Sequence, residues 1–376
     1  MLIRKEKLEI LLIKGGGNVS EFYCKTKIIS GPGTVSQLKE LNSQKLLLVA
    51  DPYFVQNGTA GRVAAASGAQ TEIFDKVMPD PSVELVAEGV AVVRDFRPDT
   101  VVALGGGSTM DCAKAMAHFA GGDITLVMIP TTSGSGSEVT DFAVLTHGET
   151  KYPLVDKKLL PDMAILDSDL LAGLPKSLVA DAGFDILGHA LESFVATGAN
   201  AFTDALARAA FCETLALLPG SFSGNTDLRG RIHEAATMAG MAFSQAGLGL
   251  CHGLAHALGA ACHVPHGRLI AILLPSVIDC NLPACGEKYA RLARAANLPG
   301  VSDTLAVRNL KNALVRLRKQ LGMPASIRET GADTCGLWQN RNKIIKIALN
   351  DPCCQTNPRP TDPAAVEKIL EAAIGG

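Results

Sequence analysis

Between about Lys45 and Asp167, short apolar runs alternate with longer amphipathic stretches. KLLLVAD, TVVALGGGS, ITLVMIPTT and MAILD each predict a buried strand, because a brief continuous apolar run closed by a turn or a polar residue leaves no wet face. DPSVELVAEGVAVVRDF, lying between the first two, carries its apolar residues at helical spacing. Strand and helix alternating in this way predict an α/β domain on a parallel sheet. After about Leu178 the pattern becomes alanine- and leucine-rich helical segments jointed by glycine and proline, which predicts an all-α second domain. The expected division is 1–20 as an N-terminal extension, 21–180 as the α/β domain and 181–376 as the helical domain. MLIRKEKLEILLIK followed by GGG reads either as a short docking helix on a linker or as translated leader before a start at Val19.

Composition narrows the function. A chain of 376 residues exceeds the usual span of one core. With 47% apolar residues, 5% aromatic residues and a net charge of -2, it gives no electrostatic reason to bind nucleic acid. Its ten cysteines are scattered, include the adjacent Cys353 and Cys354, and form no CxxC pair, so free thiols in a reducing cytoplasm are expected. No apolar run is read as reaching the roughly 18–20 residues that cross a bilayer, so no membrane partner is expected.

GGGSTMDCAK, from Gly105 to Lys114, follows a strand and opens a helix, which aims backbone amides and the positive end of the helix dipole at an anion such as a pyrophosphate. It does not match GxGxxG, and the acidic residue at a strand end, Asp51, precedes the glycines instead of following them. PTTSGSGSEVT, from Pro130 to Thr140, offers small hydroxyl side chains after another strand. Together the loops frame a dinucleotide crevice. Asp51 is placed to accept from ribose hydroxyls and repel a 2'-phosphate, favouring NAD over NADP; its alternative use is to cap the turn at Asp-Pro.

GLCHGLAHALGAACHVPHG, residues 249–267, gathers His252, His256, His263 and His266, half of the eight histidines. Asp185 and His189 in GFDILGHALE stand four apart, on one helical face. His252 and His256 repeat that spacing, and Pro265 turns the chain so that His266 can return beside them. A mixed oxygen and nitrogen set suits catalytic Fe²⁺ or Zn²⁺ with an open position.

These four segments stand in the order found in the iron-dependent (group III) alcohol dehydrogenases, and the chain resembles that family from about Ile29 almost to its C-terminus. MAGMAFSQAGLGLCH and TNPRP look most like the propanol dehydrogenases of propanediol-degrading bacterial microcompartments. The resemblance implies that Asp185, His189, His252 and His266 bind the metal, in a site between the domains. It places His256 near substrate and nicotinamide as a catalytic proton-relay candidate, and leaves His263 structural. It further implies NAD contacts at Asp51, Gly106, Gly107, Ser108, Thr131, Thr132, Thr140 and Lys151. Phe142 and Phe243 would line the alcohol's carbon chain. Two positions depart from many relatives: Gly188 and Ser135 each stand where threonine is common.

The implied activity is metal-dependent, NAD-linked interconversion of short primary alcohols and aldehydes, 1-propanol and propanal above all. The implied partners are a short-chain alcohol or aldehyde, a second copy in a homodimer, and the shell or lumen of a microcompartment. Two rivals are a glycerol or other diol dehydrogenase on the same fold and a non-catalytic metal-binding, shell-associated protein.

Overall fold

The computed structural model describes residues 21–148 and 150–375, apart from the side chains of Thr150 and Lys151; the proposed extension and its alternative start lie outside these residues. The strands are β1 (Lys27–Ser30), β2 (Lys45–Ala50), β3 (Gln70–Phe74), β4 (Thr100–Gly105), β5 (Thr125–Pro130), β6 (Phe142–His147), β7 (Thr150–Val155) and β8 (Met163–Leu166). Six of them form a parallel sheet in the order β1-β8-β5-β4-β2-β3, while β6 and β7 pair separately as an antiparallel hairpin. The first helices are α1 (Pro52–Gln56), α2 (Thr59–Ser67), α3 (Val83–Phe96) and α4 (Gly107–Ala120).

Central strands alternate their side chains between two cores. Leu47, Val49, Val101, Ala103 and Met128 pack with α3 and α4, whereas Leu46, Leu48, Val102, Leu104, Val127 and Ile129 pack with Leu38, Ala60 and Val63 on the other face. Burial on both faces is why these strands read as unbroken apolar runs. The edge strands KIIS and QTEIF are largely exposed and polar, and were not anticipated for that reason.

The chain then becomes helical: α5 (Lys176–Val195), α6 (Ala201–Phe222), α7 (Thr226–Ala246), α8 (Leu250–Cys262), α9 (His266–Ala295), α10 (Asp303–Gln320), α11 (Thr334–Gln339), α12 (Arg341–Asn350) and α13 (Pro363–Ile374). Phe184, Leu187, Leu191, Leu254, Leu258, Leu269 and Leu273 belong to one continuous core here.

One sequence expectation needs correction. By length and composition α9 could cross a membrane, with a mean hydropathy of 1.7 over its most apolar window; 56% of that window is buried inside the protein. Few charges interrupt it because this helix packs against α5, α8, α10 and α13. Leu269, Ile270, Leu273, Leu274, Val277 and Ile278 lie in the helical core.

Candidate active site

The nucleotide side lies at the carboxyl ends of the parallel strands. From β2 the chain goes to β3 on one side and then to β4 on the other, so the order reverses between β2 and β4, where open α/β sheets leave a crevice. Asp51 follows β2 and Gly106 follows β4; the Asp51 amide donates to the Leu104 carbonyl at 3.0 Å, fixing the two loop starts side by side. Asp51 Oδ1 accepts from the Tyr53 amide at 2.9 Å, so this carboxylate does cap the Asp-Pro turn and has its second oxygen left for other partners.

Gly106 caps α4, whose first turn contains Gly107 and Ser108. A Cβ on Gly107 would stand 3.1 Å from the Ser135 Cβ, and one on Gly106 would stand 3.2 Å from the Thr132 hydroxyl. The glycines therefore admit the second loop as well as leaving backbone amides bare. Ser108 Oγ accepts from the Asp80 amide at 3.3 Å. Thr131 is buried and its amide donates to the Gly105 carbonyl, while Thr132 is partly open. Thr140 is fully buried. Its hydroxyl and carbonyl both accept from Lys114 Nζ at 3.0 Å. The resemblance implies a cofactor contact at Thr140; in the structure its oxygens hold the loop. Lys151 lies on β7, and its side chain is outside the described residues.

Lys114 closes the GGGSTMDCAK motif but received no role from the sequence. Its ammonium also donates to Ser137 Oγ at 2.9 Å and the Phe142 carbonyl at 3.0 Å. Asp111, one turn earlier on α4, accepts from the Ser137 hydroxyl at 2.6 Å and the Val144 amide at 3.0 Å. Thus α4 pins the second loop and the start of β6. Burial pushes the Lys114 ammonium down to about 8, against the opposing pull of Asp111, Glu138 and Asp141.

The metal side is built from three helices. Asp185 and His189 project from one face of α5, His252 from the first turn of α8, and His266 from the start of α9. Asp185 Oδ1 lies 3.4 Å from His266 Nε2, 3.7 Å from His252 Nε2 and 3.9 Å from His189 Nε2. Ligand atoms of Asp185, His252 and His266 all fall within 4.8 Å of one another. Gly267 permits this approach, since a Cβ there would lie 1.9 Å from the Asp181 carbonyl oxygen on α5. Arg268 then clamps Asp181 with two hydrogen bonds of 3.2 and 2.9 Å.

These residues fit a metal. Asp185 Oδ1 and His252 Nε2 are buried without a hydrogen-bond partner, a state that costs on the order of 1–3 kcal/mol per group unless a ligand satisfies it. Burial works to raise the Asp185 carboxyl, yet His189, His266 and His252 outweigh it and hold the group well below the usual carboxylate range. Burial likewise pushes His189 down to about 3 and lowers His266, keeping both imidazoles neutral and able to ligate. For His252 burial is outweighed by Asp185 and Glu192, which bring it up to about 9 when only protons compete for the ring.

Glu192 was legible in GFDILGHALE but was not singled out. It lies seven residues after Asp185 on the same face of α5, is buried, and accepts from His252 Nδ1 at 2.6 Å. The same carboxylate accepts from the Cys251 and His252 amides at 2.7 and 3.2 Å, satisfying the open N-terminus of α8. Asn357 of TNPRP takes the Leu250 amide at 3.1 Å. This arrangement points His252 Nε2 at the ligand cluster and fixes its tautomer.

His256, one turn further along α8, is not in that cluster. Its Nδ1 lies 2.9 Å from Asp351 Oδ2, its ring stacks on His266 with centroids 5.2 Å apart, and 40% of its side chain is exposed. His263 is exposed and caps α8 in the left-handed region, with its amide on the Gly259 carbonyl. Phe243 stacks on His189 at 4.3 Å and so borders the ligand cluster, with the Phe142 ring 6.1 Å from it. The departure at Gly188 has a local reason: a Cβ there would come within 2.6 Å of Ile270 and 3.3 Å of the His252 ring.

The residues converging on this junction are those of a metal-dependent oxidoreductase with a nucleotide crevice. Residues 25–168 match the profile of the iron-containing alcohol dehydrogenases and residues 179–374 that of the Fe-containing alcohol dehydrogenase family, C-terminal, and the chain belongs to this family. It is an alcohol oxidoreductase, and iron with NAD or NADP are the groups its family uses. It is 40% identical to the 1-propanol dehydrogenase PduQ of Citrobacter freundii, over 95% of this chain and 100% of that one. The NADPH-dependent butanol dehydrogenase of Clostridium saccharobutylicum is 37% identical, over 94% and 98% of the two chains. A solved 1,3-propanediol oxidoreductase superposes with a TM-score of 0.89 at 31% identity, over 95% of this chain and 100% of that one.

Proposed function

We propose that this enzyme interconverts short unbranched primary alcohols and their aldehydes with NAD(H), with 1-propanol and propanal as the best pair and aldehyde reduction as the working direction. The observation that carries this reading is the buried, partnerless Asp185 Oδ1 and His252 Nε2 facing one another at 3.7 Å beside the Phe243–His189 stack. Asp185, His189, His252 and His266 hold Fe²⁺, or Zn²⁺ in its place. When bound, such an ion supplies Lewis acidity that acidifies an alcohol hydroxyl or polarises a carbonyl. Glu192 keeps His252 oriented, and His256 exchanges the substrate's proton with solvent through its contact with Asp351.

Gly106, Gly107 and Ser108 receive the pyrophosphate, with Thr131 and Thr132 across the crevice. Asp51 offers its uncapped oxygen to the ribose. Thr140 acts on the nucleotide through the loop it anchors, and Lys151 approaches it from β7. Phe142 and Phe243 supply an apolar wall that suits a propyl chain better than a second hydroxyl, which would lose hydration without an assured partner. That wall favours a monoalcohol over the diol named for the 1,3-propanediol oxidoreductase. The likeness to PduQ supports work inside a microcompartment, and the enzyme acts there as a homodimer. Residues 21–180 and 181–376 are the two domains, with the metal site between them.

The test is nicotinamide absorbance on mixing anaerobically prepared, iron-loaded enzyme with NADH and propanal, followed by kcat/KM across ethanol, 1-propanol, 1-butanol and the propanediols. Consumption of NADH with propanal, and better use of 1-propanol than of either propanediol, are expected. Diols used as well as 1-propanol would overturn the substrate assignment.

A further inference from the structure

One cluster of ligating atoms lies outside the Asp185 centre. His256, Asp351 and Cys353 come from α8 and from the turn after α12, and each offers a ligand atom, all within 4.8 Å of one another; His256 Nδ1 and Asp351 Oδ2 lie 2.9 Å apart. The turn is built to present them. Asp351 ends α12, and its Oδ1 accepts from the Cys353 amide at 2.9 Å, which leaves Oδ2 directed at His256. Neither Cys353 nor His256 is fully buried, so an ion can arrive from solvent. Cys354 points elsewhere: a Cβ on Gly253 of α8 would lie 2.5 Å from its sulfur.

We propose that His256, Asp351 and Cys353 form a second divalent-cation site, selective for thiophilic ions such as Zn²⁺, whose occupation arrests the enzyme reversibly. One imidazole, one carboxylate and one thiolate make a three-ligand set with a position open to water, the composition that zinc accepts in tetrahedral geometry. The Asp185 centre has only oxygen and nitrogen donors, so the sulfur sets the two sites apart in preference. Binding balances simply. The Cys353 thiol gives one proton to solvent, and His256 stays neutral as its proton moves from Nδ1 to Nε2 while Nδ1 ligates the ion. Asp351 Oδ2 also ligates and no longer accepts from the ring. With Nδ1 on the ion, the ring can no longer relay a proton between Nε2 and Asp351 in either direction, so the arrest rests on the role proposed for His256, whereas the site itself does not.

The experiment uses the iron-loaded holoenzyme under anaerobic conditions, titrated with Co²⁺ as a spectroscopic stand-in. A thiolate-to-cobalt charge-transfer band in the near ultraviolet, saturating at one equivalent with iron retained, is expected for the wild type and for Cys354→Ser. Cys353→Ser should lack the band. No band in the wild type, or an equal band in Cys353→Ser, overturns the site. In parallel, Zn²⁺ should inhibit propanal reduction, a weak chelator should restore it, and Cys353→Ser should need at least about 10-fold more zinc for the same inhibition, the scale of losing a supporting metal contact. A cobalt band without zinc inhibition would overturn the arrest and leave the site standing.

Discussion

The metal cluster and the nucleotide crevice solve different problems with different parts of the chain. The cluster is made of side chains on α5, α8 and α9, with Glu192 behind His252 and Arg268 tying the start of α9 to Asp181 on α5. The crevice is made mostly of backbone at strand ends, where Gly106 and Gly107 matter for what they lack and Lys114 holds the facing loop from below. An ion demands particular donor atoms at short range, whereas a pyrophosphate spread over several amides tolerates the loss of any one. Substitutions should therefore act steeply on the helical side and gradually on the strand side.

The largest effects are expected at the ligands. Asp185→Ala and His266→Ala should each lose most bound metal and more than about 100-fold in activity, beyond the range typical of groups behind a ligand. Metal analysis beside circular dichroism separates this from unfolding, and full metal content with normal turnover would remove both from the site. His256→Ala should keep the metal while kcat falls by about 100-fold, the scale of a proton-transfer group. Metal loss equal to that of His266→Ala would instead make it a ligand. Glu192→Gln should weaken metal affinity by about 10- to 100-fold. Competition with a chelating dye measures it, and an unchanged affinity would show that the three amide and imidazole bonds to Glu192 are not what orients His252.

On the strand side, Asp51→Asn keeps a capping oxygen and removes the charge, so the preference for NAD over NADP should narrow with little change in thermal stability. Asp51→Gly should narrow it similarly. If the ratio of kcat/KM values stays fixed in both variants, Asp51 serves the turn alone. The smallest effect belongs to the apolar wall. Each added methylene from ethanol to 1-propanol should gain on the order of 0.8 kcal/mol while it meets Phe142 and Phe243. Phe142→Asn should shrink the advantage of 1-propanol over 1,2-propanediol, measured with the same metal loaded.

Much of this architecture was readable in the chain because two periodicities carry it. β2, β4, β5 and β8 are buried on both faces and announce themselves as apolar runs; α3 shows one apolar stripe. Asp185 and His189 at four-residue spacing put their side chains on one face of any helix that contains them, so their proximity needed no tertiary information. What the sequence could not decide lies across elements. Glu192 and Asp351 are ordinary acidic residues until α5 meets the first turn of α8 and the turn after α12 meets its second. Thr140 is implied as a nucleotide contact, and only the fold shows that Lys114, 26 positions earlier, donates to its oxygens. The close approach at Gly267, which carries His266 to Asp185, exists only because α9 crosses α5 there. Local spacing sets which residues share a face; which faces meet depends on how helices far apart in sequence pack into a common core, and that selects which polar groups find partners and which are left facing one another to hold an ion.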